Sequence, residues 1–323
     1  MVRFGGRIDK ERFPDFHRLS RARIRRCLEP RGKCTSRAIR AHSIQNARFL
    51  RSLEKDGHVF RVASSATLET GLDIDFRRVG CKEATTFTGL CARHDNEIFA
   101  PIEKTELDLD DAEHLFLMAY RAALHELHSQ LEAAMKVQGG YVDRVKRALD
   151  PGDGPSPAGI LATERLCVAY ETYLYKSELD TAYLSKDFTA LHHDIVRLNV
   201  TFPTVATCSV FSTEVEDQEL LIHLNVLPLS PTETVAVFSY LDPAGRYARR
   251  FLRPILKSNG TGQQHELSRL ILGNCENFVL SPAYVDTWTA EKKEVVLRYF
   301  IRTMWENDLE CNLDLLNLFV GHT

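Results

Sequence analysis

The sequence predicts an α+β protein in two parts. Three observations carry this. Residues 106–148 repeat apolar side chains every three to four positions (Leu115, Leu117, Met118, Ala122, Leu124, Leu127, Leu131), the period of one helix face. From about His193 to Leu241 the pattern changes to short apolar runs divided by turn residues, which is the pattern of strands. A block of helices followed by a block of strands, without alternation, favours an antiparallel sheet over a parallel one. The chain has 323 residues, a soft prior for two domains. Its 44% apolar and 26% charged content excludes disorder of the whole chain.

Each element has its local reason. Residues 1–40 are basic and loop-rich. Short strands follow at His58–Val62 and Thr85–Phe87, then a short helix near Cys91–Phe99 that Pro101 is expected to end. The long helix opens on Asp110-Asp-Ala-Glu-His, placing acids at the positive end of the helix dipole. Asp150-Pro-Gly-Asp-Gly-Pro-Ser-Pro157 can only be a loop or hinge. A second helix runs from about Gly159 to Leu184. Strands begin at Ile195, Leu198 and Val200 and continue as Val205–Phe211, Leu220–Val226 and Thr234–Tyr240. Pro228–Pro231 and Asp242–Gly245 read as turns. Helical signals return at Arg246–Leu256, Gln264–Leu272 and Ala290–Glu306. The expected division is a basic domain at 1–103 and an acidic one at 104–323, the latter helical over 105–186, strand-rich over 193–241 and helical over 246–306.

A net charge of −3 hides a strong asymmetry. Residues 1–51 hold 15 Lys and Arg against 4 Asp and Glu, a net of +11; the remaining 272 residues hold 26 and 40, a net of −14. A basic segment on an acidic body points to a polyanion partner. No run approaches the ~20 apolar residues that span a bilayer. The opening MVRFGGRIDK lacks the apolar core of a secretory signal, and Asp9, Glu11 and Asp15 argue against a transit peptide. The expected location is cytoplasmic, with no membrane partner. There, eight thinly spread cysteines read as buried apolar residues or metal ligands, not disulfides.

The residues that carry chemistry lie between Cys27 and Glu103. Cys27-x6-Cys34 is one ligand pair and Cys91-x2-His94 another, and the second has the spacing at which two side chains at a helix start face one ion. Together they make a Cys₃His set, and structural zinc takes four such ligands tetrahedrally. The wider first pair needs a kinked knuckle around Pro30-Arg-Gly32.

This layout resembles the treble-clef zinc finger of the HNH, or His-Me finger, endonuclease superfamily, over about residues 24–103. The resemblance implies a small ββα zinc-finger domain ahead of the helical and antiparallel-sheet domain, with Cys27, Cys34, Cys91 and His94 holding structural zinc. It implies that His42, in Arg-Ala-His-Ser-Ile, is the general base. Asp95, beside the last zinc ligand, falls where the residue that holds a catalytic divalent cation, magnesium or manganese, belongs. Nucleic acid, DNA before RNA, would lie along Arg21, Arg23, Arg25, Arg26, Arg37 and Arg40. An imidazole suits proton removal near neutral pH, and a carboxylate is a suitable hard ligand for magnesium. The sequence departs from the family in lacking its central Asn and in replacing its final His by Asp95, and Ser64–Asp75 reads as an insertion in the hairpin. The leading expectation is a metal-dependent endonuclease, by analogy one associated with bacterial anti-phage defence. The alternative is a zinc-stabilised nucleic-acid-binding or adaptor protein without catalysis. The acidic part would then select substrate, form a homo-oligomer or meet a protein partner.

Weaker signals have plainer readings. His58 is a rival base that reads as a strand residue after a turn. His125-Glu-Leu-His128 has its histidines three apart, where a zincin needs four, and reads as a solvated helix face. His192-His-Asp194 reads as a turn before a strand, Cys275 as a buried thiol, and Tyr170, Tyr173 and Tyr175 as helix packing.

Overall fold

In the computed structural model the described residues are 2–4, 24–67, 71–150, 153–304 and 312–320. Strands are β1 (Val2–Phe4), β2 (Ala41–His42), β3 (His58–Thr67), β4 (Gly71–Gly80), β5 (Thr86–Phe87), β6 (Leu191–Asn199), β7 (Val205–Val215), β8 (Gln218–Ser230), β9 (Glu233–Leu241) and β10 (Phe278–Leu280). The helices are α1 (Ala92–Lys104), α2 (Ala112–Lys146), α3 (Pro157–Ser185), α4 (Gly245–Phe251), α5 (Arg253–Lys257), α6 (Gly260–Asn274), α7 (Pro282–Val285), α8 (Ala290–Arg302) and α9 (Leu313–Leu316). The α+β class is as expected, and among the described residues every pairing is antiparallel.

Eight strands form one sheet in the order β1-β4-β3-β10-β7-β8-β9-β6, and β2 and β5 pair by themselves. The large sheet draws strands from both sides of residue 104, joined where Leu280 of β10 meets Phe60 of β3. Alternation along its strands separates two cores. Cys208, Val210, Val235 and Val237 pack with α1 and α2, whereas Phe211, Ala236, Phe238 and Tyr240 pack with the C-terminal helices. Both faces of β7, β8 and β9 are therefore covered, which is why these strands read as nearly continuous apolar runs.

α2 starts at the cap Asp111, whose carboxylate accepts from the backbone N–H groups of Glu113 and His114. From His114 to Leu124 it is buried all round, beneath the sheet. The loop through Asp150 turns the chain back, Ser156 caps α3 by accepting from Gly159 N–H, and Pro157 takes the first helical position.

Some local expectations give way. Pro101 does not end α1, which runs on to Lys104. An interior proline costs about 3 kcal/mol. Burial of Ile98, Phe99 and Ile102 outweighs this, at about 1.5–3 kcal/mol per side chain. Pro228 lies within β8, at a register irregularity between Pro228 and Ser230, where a missing ladder donor is tolerated. His192, His193 and Asp194 lie inside β6, not in a turn. Tyr170 and Tyr173 are exposed and stack on each other instead of packing inward.

Candidate metal centre

The knuckle is built by one carboxylate. Arg25–Arg26 pairs with Arg37–Ala38 as a short antiparallel rung, and the chain between must turn sharply. Gly32 supplies the left-handed φ of 64° that the turn requires. The buried carboxylate of Glu29 accepts from the backbone N–H groups of Arg31, Lys33 and Cys34 at 2.7, 2.5 and 3.0 Å. Burial opposes the Glu29 charge, yet these three donors outweigh it and hold its pKa below the usual carboxylate range. Six residues between two ligands are thus folded into the space of a shorter knuckle.

The knuckle is bolted to the start of α1 and to α3. Leu28 N–H donates to the Gly89 carbonyl, and Cys91 N–H donates to the Cys27 sulfur at 3.2 Å. Lys176 of α3 is 3% exposed, and its ammonium donates to the Leu28 carbonyl at 2.7 Å while pairing with Asp180 at 2.8 Å. The Tyr120 hydroxyl completes the group by donating to Asp180 at 2.5 Å.

Cys27, Cys34, Cys91 and His94 are brought together, with ligand atoms all within 4.8 Å of one another. Cys34 Sγ and Cys91 Sγ are 3.9 Å apart, and His94 Nδ1 lies 3.4 Å from Cys27 Sγ and 3.5 Å from Cys91 Sγ. Around a tetrahedral zinc with bonds of about 2.3 Å to sulfur and 2.0–2.1 Å to nitrogen, sulfurs lie about 3.8 Å apart and sulfur and nitrogen about 3.6 Å. The spacing fits such an ion and is far too long for a disulfide. The group can hold a metal such as zinc. Burial pushes the Cys27 thiol up to about 12, whereas the backbone N–H of Ser36 draws the Cys34 thiol down. Arg93 approaches His94 Nε2 at 2.8 Å, a contact that suits a ring with its proton on Nδ1. A metal held on Nδ1 would leave the ring proton on Nε2, where the Arg93 guanidinium would have no acceptor.

The other expected site residues are placed separately. His42 Nε2 is 2.8 Å from the Cys81 carbonyl. Asp95 lies within electrostatic reach of Arg121 and Glu103, and burial raises its pKa despite the Arg121 charge. Among the described residues no hydrogen bond or ion pair joins His42 to Asp95. Arg25, Arg26, Arg37 and Arg40 are exposed, and none makes an ion pair among the described residues. Arg21 and Arg23 lie outside the described residues. Beside Cys34 and His94 opens a groove of about 470 Å³ whose wall includes Arg31, Lys33 and Arg93. Sequence reasoning missed these three cations, and it missed Glu29 and Lys176. The basic count of residues 1–51 pointed to the first two, but a lone Glu and an i,i+4 Lys–Asp pair carry no signal of burial. His58 is exposed at the start of β3, with Nδ1 2.6 Å from the Asp56 carbonyl.

No protein-family model matches the chain, no curated protein matches it, and no solved structure matches its fold. Among the described residues no helix is long and apolar enough to cross a membrane.

Proposed function

We propose that this chain is a zinc-stabilised nucleic-acid-binding protein whose basic finger is held on an acidic α+β body. The observation that carries this reading is the coincidence of the Cys₃His group with exposed cations that make no ion pair among the described residues: Arg25, Arg26, Arg37 and Arg40 on the rung and loop flanking the knuckle, and Arg31 and Lys33 on the knuckle itself. Exposed guanidinium groups on a rigid scaffold suit phosphate contacts, which give affinity without sequence readout. The zinc would be structural, since four protein ligands leave no open position for chemistry. Binding of duplex DNA by the zinc-loaded protein, lost on chelation, is the expected result; equal binding after zinc removal would contradict the coupling.

A second reading, cleavage by an HNH-like site, is favoured by His42. Donation from its Nε2–H to the Cys81 carbonyl fixes the tautomer and leaves Nδ1 as a base. The β2/β5 pair followed by α1, with Asp95 next to His94, is also consistent with the ββα layout. Asp95 is the weak part, because Arg121 already supplies its neighbouring cation. Plasmid incubated with magnesium or manganese decides this: nicking that disappears in His42→Ala supports catalysis, and none in the wild type leaves the binding reading alone.

A further inference from the structure

A second cavity, of about 290 Å³, lies where β5, α2 and the segment before β10 meet, and none of the four candidate metal ligands lines it. Four observations concern this one space. First, Arg40 and Arg61 both line it, both are exposed, and neither makes an ion pair among the described residues. Arg40 is steered there by donating to Thr86 Oγ1 at 3.1 Å. Second, Thr85 lines it in a left-handed conformation, φ 58°, which a β-branched residue adopts only under strain. Its side chain is buried and its hydroxyl has no partner among the described residues. Such a donor costs free energy wherever nothing accepts from it.

Third, the wall has an aromatic part. Phe87 is met edge-on by His125 and His128, with ring centroids 5.2 and 5.7 Å away. Burial lowers His125 to about 4, so it stands there as a neutral ring. His128 is engaged by Thr88 and Glu132. The histidines of the His125-x-x-His128 motif thus face a cavity and not open solvent. Fourth, the two carboxylates of the lining differ. Glu132 is already met by His128, Lys136 and the Ile24 N–H, whereas Glu276 is exposed on the rim with no ion pair among the described residues.

We propose that this cavity binds a phosphomonoester of nucleotide size. Arg40 and Arg61 take the phosphate oxygens, the Thr85 hydroxyl gains an acceptor, and Glu276 accepts from a hydroxyl or amino group of the nucleoside. Two guanidinium groups match a dianionic phosphate better than a single carboxylate. The volume exceeds what a bare phosphate fills and is close to the lower end for small-molecule sites. The inference goes beyond nucleic-acid binding by the finger, because Arg61 and Thr85 are not part of the basic surface around the knuckle.

The test is calorimetric titration of the full, zinc-loaded chain with AMP, GMP, CMP and UMP, with inorganic phosphate and adenosine as controls. At least one monophosphate should bind more tightly than inorganic phosphate, and adenosine should not bind. Arg61→Ala and Thr85→Val should each weaken binding by about tenfold, the scale of one charge-assisted or one buried hydrogen bond, while Thr85→Ser retains it. Arg61 is exposed and valine is close to isosteric with threonine, so both variants should fold, and thermal unfolding checks that they do. The proposal is overturned if no monophosphate binds at millimolar concentration. It is also overturned if none binds more tightly than phosphate, or if folded Arg61→Ala and Thr85→Val bind as the wild type does. Duplex DNA binding measured on the same variants keeps this outcome separate from the fate of the finger, since neither substitution touches the knuckle cations.

Discussion

Glu29 shows how much of the metal centre depends on a side chain that is not a ligand. Its carboxylate gathers three backbone N–H groups that would otherwise be left without acceptors inside the knuckle. Glu29→Ala should therefore destabilise the chain by about 2 kcal/mol or more, since hydrogen bonds to a charged group are worth about 1.5–3 kcal/mol each. The same variant should release its metal to a competing chelator faster than wild type. Unchanged urea midpoint and unchanged metal retention would show that the knuckle holds its shape without Glu29. The Cys₃His cluster was legible in the sequence because Cys and His at that spacing have few other uses. Glu29 was not, since Leu28-Glu-Pro-Arg31 reads as an ordinary solvated charge until the turn at Gly32 closes over it. Thr85 was illegible for the same kind of reason: its φ and its orphaned hydroxyl are properties of the folded backbone.

Among elements, α3 carries two predictions. Its Lys176 reaches the Leu28 carbonyl, 148 positions away in sequence, and pairs with Asp180 while nearly fully buried. Lys176→Ala leaves Asp180 without its cation, and loss of one member of a buried pair costs about 3–5 kcal/mol. Urea unfolding should show that loss, and a change below about 1 kcal/mol, the range of an exposed pair, would contradict burial. The second prediction concerns the seam between α3 and the sheet. The Tyr175 hydroxyl bonds His223 Nε2 at 2.5 Å, and His193 Nδ1 bonds the Ser239 hydroxyl at 2.8 Å. Burial lowers His193 to about 4 and His223 to about 3, so the folded chain resists protons that the unfolded chain binds near pH 6.5. Stability is then complete above about pH 6.5 and falls as pH drops through the window toward 4, by about 2 kcal/mol per histidine at pH 5. His223→Gln should flatten part of that loss between pH 7 and 5. Parallel wild-type and variant curves would contradict it. The helix itself was legible, expected from about Gly159 to Leu184 and found over Pro157–Ser185. Its role was not, because an i,i+4 Lys–Asp pair looks the same in sequence whether it is solvated or buried.

Across the whole molecule, the sheet organises the fold. The basic finger sits against a sheet whose strands come from both ends of the chain, with helices on its two faces. Strands β6–β9 were legible as apolar runs because each is long and bounded by turns. The insertion of β10 between β3 and β7 was not, since a three-residue strand gives no periodic signal and its partners lie about 70 and 220 positions away. The proposed function predicts a salt-dependent nucleic-acid interaction. Log K against log salt should fall with a slope of roughly −0.9 per neutralised phosphate. Arg37→Ala and Arg40→Ala should each reduce the slope by about 1, with little change in sequence preference. An affinity indifferent to salt would remove phosphate contact from the account.

In the proposed function Cys27, Cys34, Cys91 and His94 hold one zinc ion that orders the finger. Elemental analysis of the purified full chain tests it most directly, beside the variant Cys91→Ser. About one zinc per wild-type chain and a large loss in the variant are expected, as a closed four-ligand site requires. A wild-type chain free of zinc, or a variant that retains it fully, would contradict the claim.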